Sequence, residues 1–314
     1  MKKAFTLVEL LFVMVVLAII AGVGTDILRS LFDNYAVTAQ IHRLESVANN
    51  AADMIATRLE KRVPQTTAIE TSTDTGAKNY EPLSAIGGTT GKSVKLVFFR
   101  KAYELERNFI SFISAKKGGV KAPRTSGFIS ELETTTKRDS GKLVDEVKFV
   151  SKETDLTGLD LNDYELFFSN DSSLLYENKS NHFDRYYKNS GKSFAYHCAN
   201  GKLEFQNGKF TLTRSGCQAS TSTIVRPSMA ALIHKFYLSK EIDKIYLDTN
   251  KNLYLETCNI TGEKCKKSLL ATGVSTFRFS ALGSDPNIAS TIVFKLCLVE
   301  NDGKAEACQS RIVR

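Results

Sequence analysis

Glu9 is the residue whose position most demands chemistry. It is the one charged side chain between Phe5 and Gly24, in the run Phe5-Thr6-Leu7-Val8-Glu9-Leu10 and the apolar residues that follow. Lys2 and Lys3 stand just before the run. As a helix, those 20 residues rise about 30 Å, enough to cross the hydrocarbon core of a bilayer. A carboxylate there costs roughly 2.5–3.5 kcal/mol at mid-membrane and less near an end. Glu9 therefore calls for a cationic partner.

The other reactive side chains point away from catalysis. Six cysteines, Cys198, Cys217, Cys258, Cys265, Cys297 and Cys308, all lie in the C-terminal part of the chain. None forms a C-x-x-C pair, which argues against zinc or thioredoxin-like chemistry. An even count beyond a membrane span suits disulfides in an oxidising compartment. The histidines, His42, His182, His197 and His234, show no metalloprotease or nucleophile-partner spacing. His197 abuts Cys198, but a dyad needs more than adjacency, and the cysteine is better used in a disulfide. Asp248-Thr249-Asn250-Lys251-Asn252 alternates oxygen donors as calcium loops do. It lacks the glycine and the distal glutamate of such loops, and an Asx-rich hairpin turn has the same composition. No phosphate loop, nucleophile elbow or dinucleotide fingerprint appears. The expectation is a non-enzyme without cofactor or metal.

These residues need elements to position them. Beyond Gly24 the helical period continues through Leu28, Leu31, Phe32, Tyr35, Leu44, Ala48, Ala51, Ile55 and Leu59, with polar residues between. Pro64 closes the pattern after about Arg62. The apolar spacing drifts, so a strict coiled coil is not expected. Residues 65–91 are polar and aperiodic, read as a connecting loop. Strands are predicted at Ser93–Arg100, Phe109–Ala115, Glu146–Lys152, Tyr164–Phe168 and Ser173–Tyr176, with a loop from Lys116 to Lys142. Lys202 to Thr213 is a hairpin, because Asn207-Gly208 supplies the positive φ angles of a type I′ turn. Ile233–Ser239, Asp243–Asp248, Asn252–Thr257, Val274–Phe279 and Ile292–Leu298 complete the strands. The predicted class is α+β, one long N-terminal helix packed on a mainly antiparallel sheet.

The hairpins bias the cysteine pairing. Cys198 and Cys217 flank the Asn207-Gly208 turn symmetrically, Cys258 and Cys265 close a short loop with Thr261-Gly262, and Cys297 and Cys308 bracket Asp302-Gly303. Nearest-neighbour bridges are expected for all three, with free buried thiols as the alternative.

With 314 residues, 42% hydrophobic and 24% charged, the chain can bury a normal core beyond its anchor. The formal charge of +8 falls to +6 if Lys2 and Lys3 are removed. The surplus is spread out, the densest stretch being Lys116 to Lys121, and no nucleic-acid module is visible. Lysines before the span put the N-terminus in the cytoplasm.

The residues Ala4-Phe5-Thr6-Leu7-Val8-Glu9-Leu10-Leu11, behind a basic leader, resemble the processing signal of the type IV pilin and type II secretion pseudopilin superfamily. The resemblance implies that a prepilin peptidase cuts between Ala4 and Phe5, that the Phe5 amine is methylated, and that Glu9 pairs with a neighbouring subunit's Phe5 amine. Ala4 stands where the family has Gly. The implied domains are a leader (1–4), a long helix (5–63, with 5–24 as membrane and assembly segment) and a periplasmic β-rich head (64–314). Tyr246-Leu247-Asp248, Leu253-Tyr254, Leu269-Leu270, Gly273-Val274, Phe277 and Phe279 resemble the larger minor pilins and pseudopilins of the J and W classes. The implied role is a fibre subunit at or near a tip, partnered by other pilins, the inner membrane and a secreted substrate or surface. DNA capture is permitted but not favoured by the charge. Three alternatives compete: a conventional signal peptide cut near Ala18-Ile19-Ile20-Ala21-Gly22, a single-span anchor for a periplasmic binding or sensor protein, and a buried core helix.

Overall fold

The computed structural model describes residues 7–72, 78–83, 94–103, 126–139, 142–151, 156, 160–161, 163–168, 187, 200–215, 235–282, 291–300, 303 and 305–314. Helix α1 runs unbroken from Leu7 to Glu60. In its second half Leu44, Ala48, Ala51, Ala52, Ile55 and Leu59 are buried, three and four residues apart, so they form one stripe. Three of the six are alanines, which let the helix axis approach the sheet beneath. Leu28, Leu31, Phe32 and Tyr35 continue the stripe in sequence but are exposed, because the head covers the helix only from about Leu44 onward.

Proline sets the end of the helix. Val63 is extended, as a residue before proline prefers, and a short 3₁₀ turn at Pro64–Thr66 follows. Backbone groups just past the helix end pair with β3, and the helix's own neighbour Arg62 covers one of its last carbonyls. Lys101 N donates to Lys61 O at 2.8 Å, and Val63 N donates to Phe99 O at 2.8 Å. Arg62 Nη1 donates to Leu59 O at 2.7 Å from a buried position. Burial lowers its pKa to about 10, so it remains charged at neutral pH.

The strands are β1 (Ala68–Ser72), β2 (Lys78–Pro82), β3 (Val94–Lys101), β4 (Ser126–Phe128), β5 (Glu131–Asp139), β6 (Lys142–Val150), β7 (Glu165–Phe168), β8 (Asn200–Gln206), β9 (Lys209–Ser215), β10 (Lys235–Leu247), β11 (Leu253–Asn259), β12 (Lys266–Ala271), β13 (Val274–Leu282), β14 (Thr291–Glu300) and β15 (Ala305–Val313). They form three sheets. The largest runs β12-β11-β10-β3-β1-β2, with β4 and β7 also paired to β10; the others are β13-β14-β15 and β5-β6-β9-β8. Every pairing among the described residues is antiparallel. The class is α+β, as expected.

Alternation along β3 divides the core. Leu96 and Phe98 face α1 and the small sheet, joining Ile245, Leu255, Phe277, Phe294 and Leu296. Val97 and Phe99 face the opposite side with Tyr80, Phe167 and Ile242. There Tyr187 stacks on Tyr80 at 4.6 Å and on Phe99 at 5.2 Å. A further core joins the four-stranded sheet to β10. Phe210 lies 4.5 Å from Phe149 and 5.0 Å from Phe236, ring centre to ring centre.

The structure corrects several expectations. Residues 65–91 are not all loop, since they contain β1 and β2. Those strands are short and carry Glu70 inward, so no apolar alternation announces them. The loop from Lys116 to Lys142 likewise holds β4 and β5. In β5, Glu131-Leu132-Glu133-Thr134-Thr135-Thr136 has strand-forming threonines but little apolar content. The described parts of the candidates Ile233–Ser239 and Asp243–Asp248 belong to one strand, β10 (Lys235–Leu247), interrupted by a bulge. Strands β12 and β15 were not expected. The candidates Phe109–Ala115 and Ser173–Tyr176 lie outside the described residues.

Candidate functional site

From Leu10 to Gly24, α1 is apolar on every side and none of this stretch is buried against the head. A helix hydrophobic all round is either a core helix or a membrane span. This one has no core to enter. Leu7 is 81% exposed and Phe12 68%. The segment is long and apolar enough to cross a bilayer. Thr25, just past it, folds its hydroxyl onto Ala21 O at 2.7 Å, so the first polar side chain after the span is satisfied within the helix.

Glu9 lies in the first described turn of α1. Glu9 stands four positions after Phe5 in the sequence. Ala4 and Phe5 themselves lie outside the described residues.

The cysteines resolve in two of three cases. Cys258 and Cys265 form a disulfide, as do Cys297 and Cys308. Cys297 and Cys308 stand directly opposite each other on β14 and β15, on the face turned away from the helix. Glu256 and Glu306 lie beside these two bridges, but oxidised sulfur supplies no thiolate to hold a metal. Cys198 and Cys217 lie outside the described residues.

The remaining candidates are structural where they are described. Asp248 accepts the N–H groups of Asn250 and Asn252, each at 2.8 Å, and the Asn252 side chain at 3.2 Å. Its oxygens are used by the turn. The Asn252 N–H bond, outweighing burial and aided by the other two, holds its carboxyl below the usual range. His42 sits 3.3 Å from Glu45 on the exposed helix. His182, His197 and His234 lie outside the described residues.

Sequence reasoning missed one charged region, where α1 ends over β3 and β10. Asp243 is fully buried, yet Arg58 Nη1 and Arg100 Nε approach its Oδ2 at 3.5 and 3.6 Å. Thr257 donates to its Oδ1 at 2.6 Å. The available signal was a phase slip in β10. Phe236 and Leu238 set one alternation, Asp243 and Ile245 the other, and only an extra residue puts both pairs on one face.

A family model described as the prokaryotic N-terminal methylation motif matches residues 1–25. No curated protein and no solved structure matches the chain. Residues 1–25 therefore carry a prepilin-type processing signal, continuous with an apolar helix whose far end is built into the head.

Proposed function

We propose that the chain is a minor pilin- or pseudopilin-like structural subunit. It is cut between Ala4 and Phe5 by a prepilin peptidase, methylated on Phe5, and assembled through α1 at or near the tip of a type IV pilus or secretion pseudopilus. The head stands on the periplasmic side before assembly. The observation that carries this reading is the junction of the matched motif with a helix whose apolar first part is exposed and whose later part buries one stripe, Leu44 to Leu59, in the head. An anchor alone needs only about 20 residues. Here the exposed apolar positions Leu28, Leu31, Phe32 and Tyr35 continue past the span, and neighbouring helices in a fibre would cover them.

The bulky head favours a tip position, because a shaft subunit must tolerate copies on every side. In this reading the chain catalyses nothing and binds no cofactor. Its work is to prime fibre growth and contact a substrate or surface.

Glu9→Val tests the reading. Insertion should be intact or improved, since a charge leaves the hydrocarbon, while crosslinking to co-assembling pilins should fall to background. Undiminished crosslinking of the variant would favour the rival, a single-span anchor for a periplasmic binding or sensor protein.

A further inference from the structure

Where α1 ends, the large sheet leaves a notch of about 510 Å³ between two cores. Opposed residues on β3 and β10 lie on one face of the sheet, in the order Leu96 with Ile245, Phe98 with Asp243 and Arg100 with Glu241. Ala102 follows, its N–H donating to Leu238 O at 2.9 Å. Leu96, Phe98 and Ile245 belong to the core under α1, whereas Ala102 and Leu238 belong to the core under the four-stranded sheet. The notch is the gap between them, walled by Thr57 and Arg58 of the last turn of α1 and by Lys61 just past it.

The sheet is locally reshaped at this point. Lys240 is the extra residue of a bulge, so that Lys240 and Glu241 together oppose Arg100. Ser239 Oγ clamps it, donating to Arg100 O at 2.6 Å and lying 3.2 Å from Glu241 O. A bulge re-aims side chains, and here it brings the Lys240 ammonium into the wall of the notch.

The wall is cationic. Arg58, Lys61, Arg100 and Lys240 line it, against Glu241 in the wall and Asp243 behind it. Both carboxylates are engaged by the two arginines, since Arg100 also pairs with Glu241. Among the described residues, that leaves a surplus of two positive charges, on the lysines. Lys61 Nζ lies 4.1 Å from the Tyr103 ring and Lys240 Nζ 5.4 Å from the Tyr164 ring. Among the described residues neither forms an ion pair. Aromatic faces hold an ammonium without neutralising it, so both remain available to an incoming anion.

We infer that this notch binds an acidic peptide segment, through carboxylates seated between Lys61 and Lys240. The inference does not depend on the proposed assembly role. Membrane headgroups are an unsuitable source of the anion. With α1 crossing the bilayer, the helix rises roughly 54 Å between Gly24 and Glu60, which places the notch far from any lipid surface. The volume also exceeds what a single phosphate fills.

The test uses the full chain in non-ionic detergent and a fluorescein-labelled Gly-Gly-Asp-Glu-Asp-Gly peptide, read by anisotropy. Saturable binding should weaken as salt rises. The Asn/Gln counterpart of the peptide should not bind. The Lys61→Gln/Lys240→Gln double variant should lose at least tenfold in affinity. A Lys266→Gln/Lys295→Gln control, which removes equal charge at exposed positions on β12 and β14, should change less than twofold. Circular dichroism confirms that both variants fold. Absence of saturable binding, equal losses in the two double variants, or displacement of the peptide by equimolar inorganic phosphate would each overturn the assignment.

Discussion

Glu70 of β1 and Lys244 of β10 meet at 2.9 Å over the intervening strand β3, with side chains only 2% and 7% exposed. Tyr80 donates to the same carboxylate at 3.2 Å, and Lys95 Nζ approaches its other oxygen at 3.6 Å. Burial alone would raise the Glu70 pKa. The Lys244 hydrogen bond and the charges of Lys244, Lys95 and Lys78 outweigh it, so the carboxyl titrates below its usual range. A depressed carboxylate contributes stability that is fully present above the unfolded pKa, about 4.3, and is lost as pH falls through the lower folded value. Wild-type melting temperature should therefore drop on acidification below about pH 4.3. Glu70→Gln should flatten its share of that drop and, by stranding a buried ammonium, cost about 3–5 kcal/mol near neutrality. Urea unfolding across pH checks both.

The alanines of α1 set how closely the helix lies on the small sheet. Ala48 and Ala52 are fully buried, and α1 packs chiefly on β15. Ala48→Leu should destabilise by about 1–3 kcal/mol through overpacking. Phe32→Ser, at an exposed position, should leave thermal unfolding of the head within about 0.5 kcal/mol. Arg311 on β15, which donates to Asp53 at 3.0 and 3.1 Å and to Asn49 at 3.2 Å, holds the rim of this contact.

Much of this architecture was legible in the sequence, and the reason differs by region. The helix was readable because Leu44, Ala48, Ala51, Ile55 and Leu59 keep a strict spacing and Pro64 stops them. The β8–β9 hairpin was readable because a type I′ turn has few chemical solutions. Asn207 and Gly208 take them, with φ of 52° and 77°. Strands β1 and β2 were hidden because one buried position is a carboxylate whose partners, Lys244 and Lys95, are remote in sequence. The cationic notch was hidden for the same reason, since its residues come from α1, β3 and β10. Where along α1 the head's cover begins was not legible, because an apolar residue does not declare whether its own chain or another covers it.

Gly273 joins the large sheet to the small one. Its φ is 66°, and a Cβ there would lie 2.8 Å from Val299 O. Val299 N also donates to Gly273 O at 2.8 Å, so the two backbones cannot part without losing a bond. Gly273→Ala should cost at least about 1–2 kcal/mol from the left-handed backbone alone, more with the clash. A melt of this variant beside Gly208→Ala separates the two terms, because Gly208 has φ of 77° and open space around its Cβ.

The register of β8 and β9 predicts a third disulfide. Asn200 stands opposite Ser215 on β8 and β9, so Cys198 and Cys217 fall two positions beyond on either side. If the ladder continues they oppose each other on one face, as Cys297 and Cys308 do. Non-reducing peptide mapping should recover a Cys198–Cys217 peptide pair alongside the other two. Closing that loop should contribute about 3 kcal/mol, read as the loss on Cys198→Ala/Cys217→Ala. Free thiols at both positions would refute the pairing.

The central claim is that the N-terminal helix belongs to a processed, assembling subunit rather than to a plain anchor. Mass spectrometry of the N-terminal peptide from membrane-derived protein tests it most directly. A chain beginning at Phe5 with its α-amine methylated is expected, and a precursor beginning at Met1 only when the peptidase is absent. A mature chain that retains Met1, or one that begins after Gly22, would contradict it.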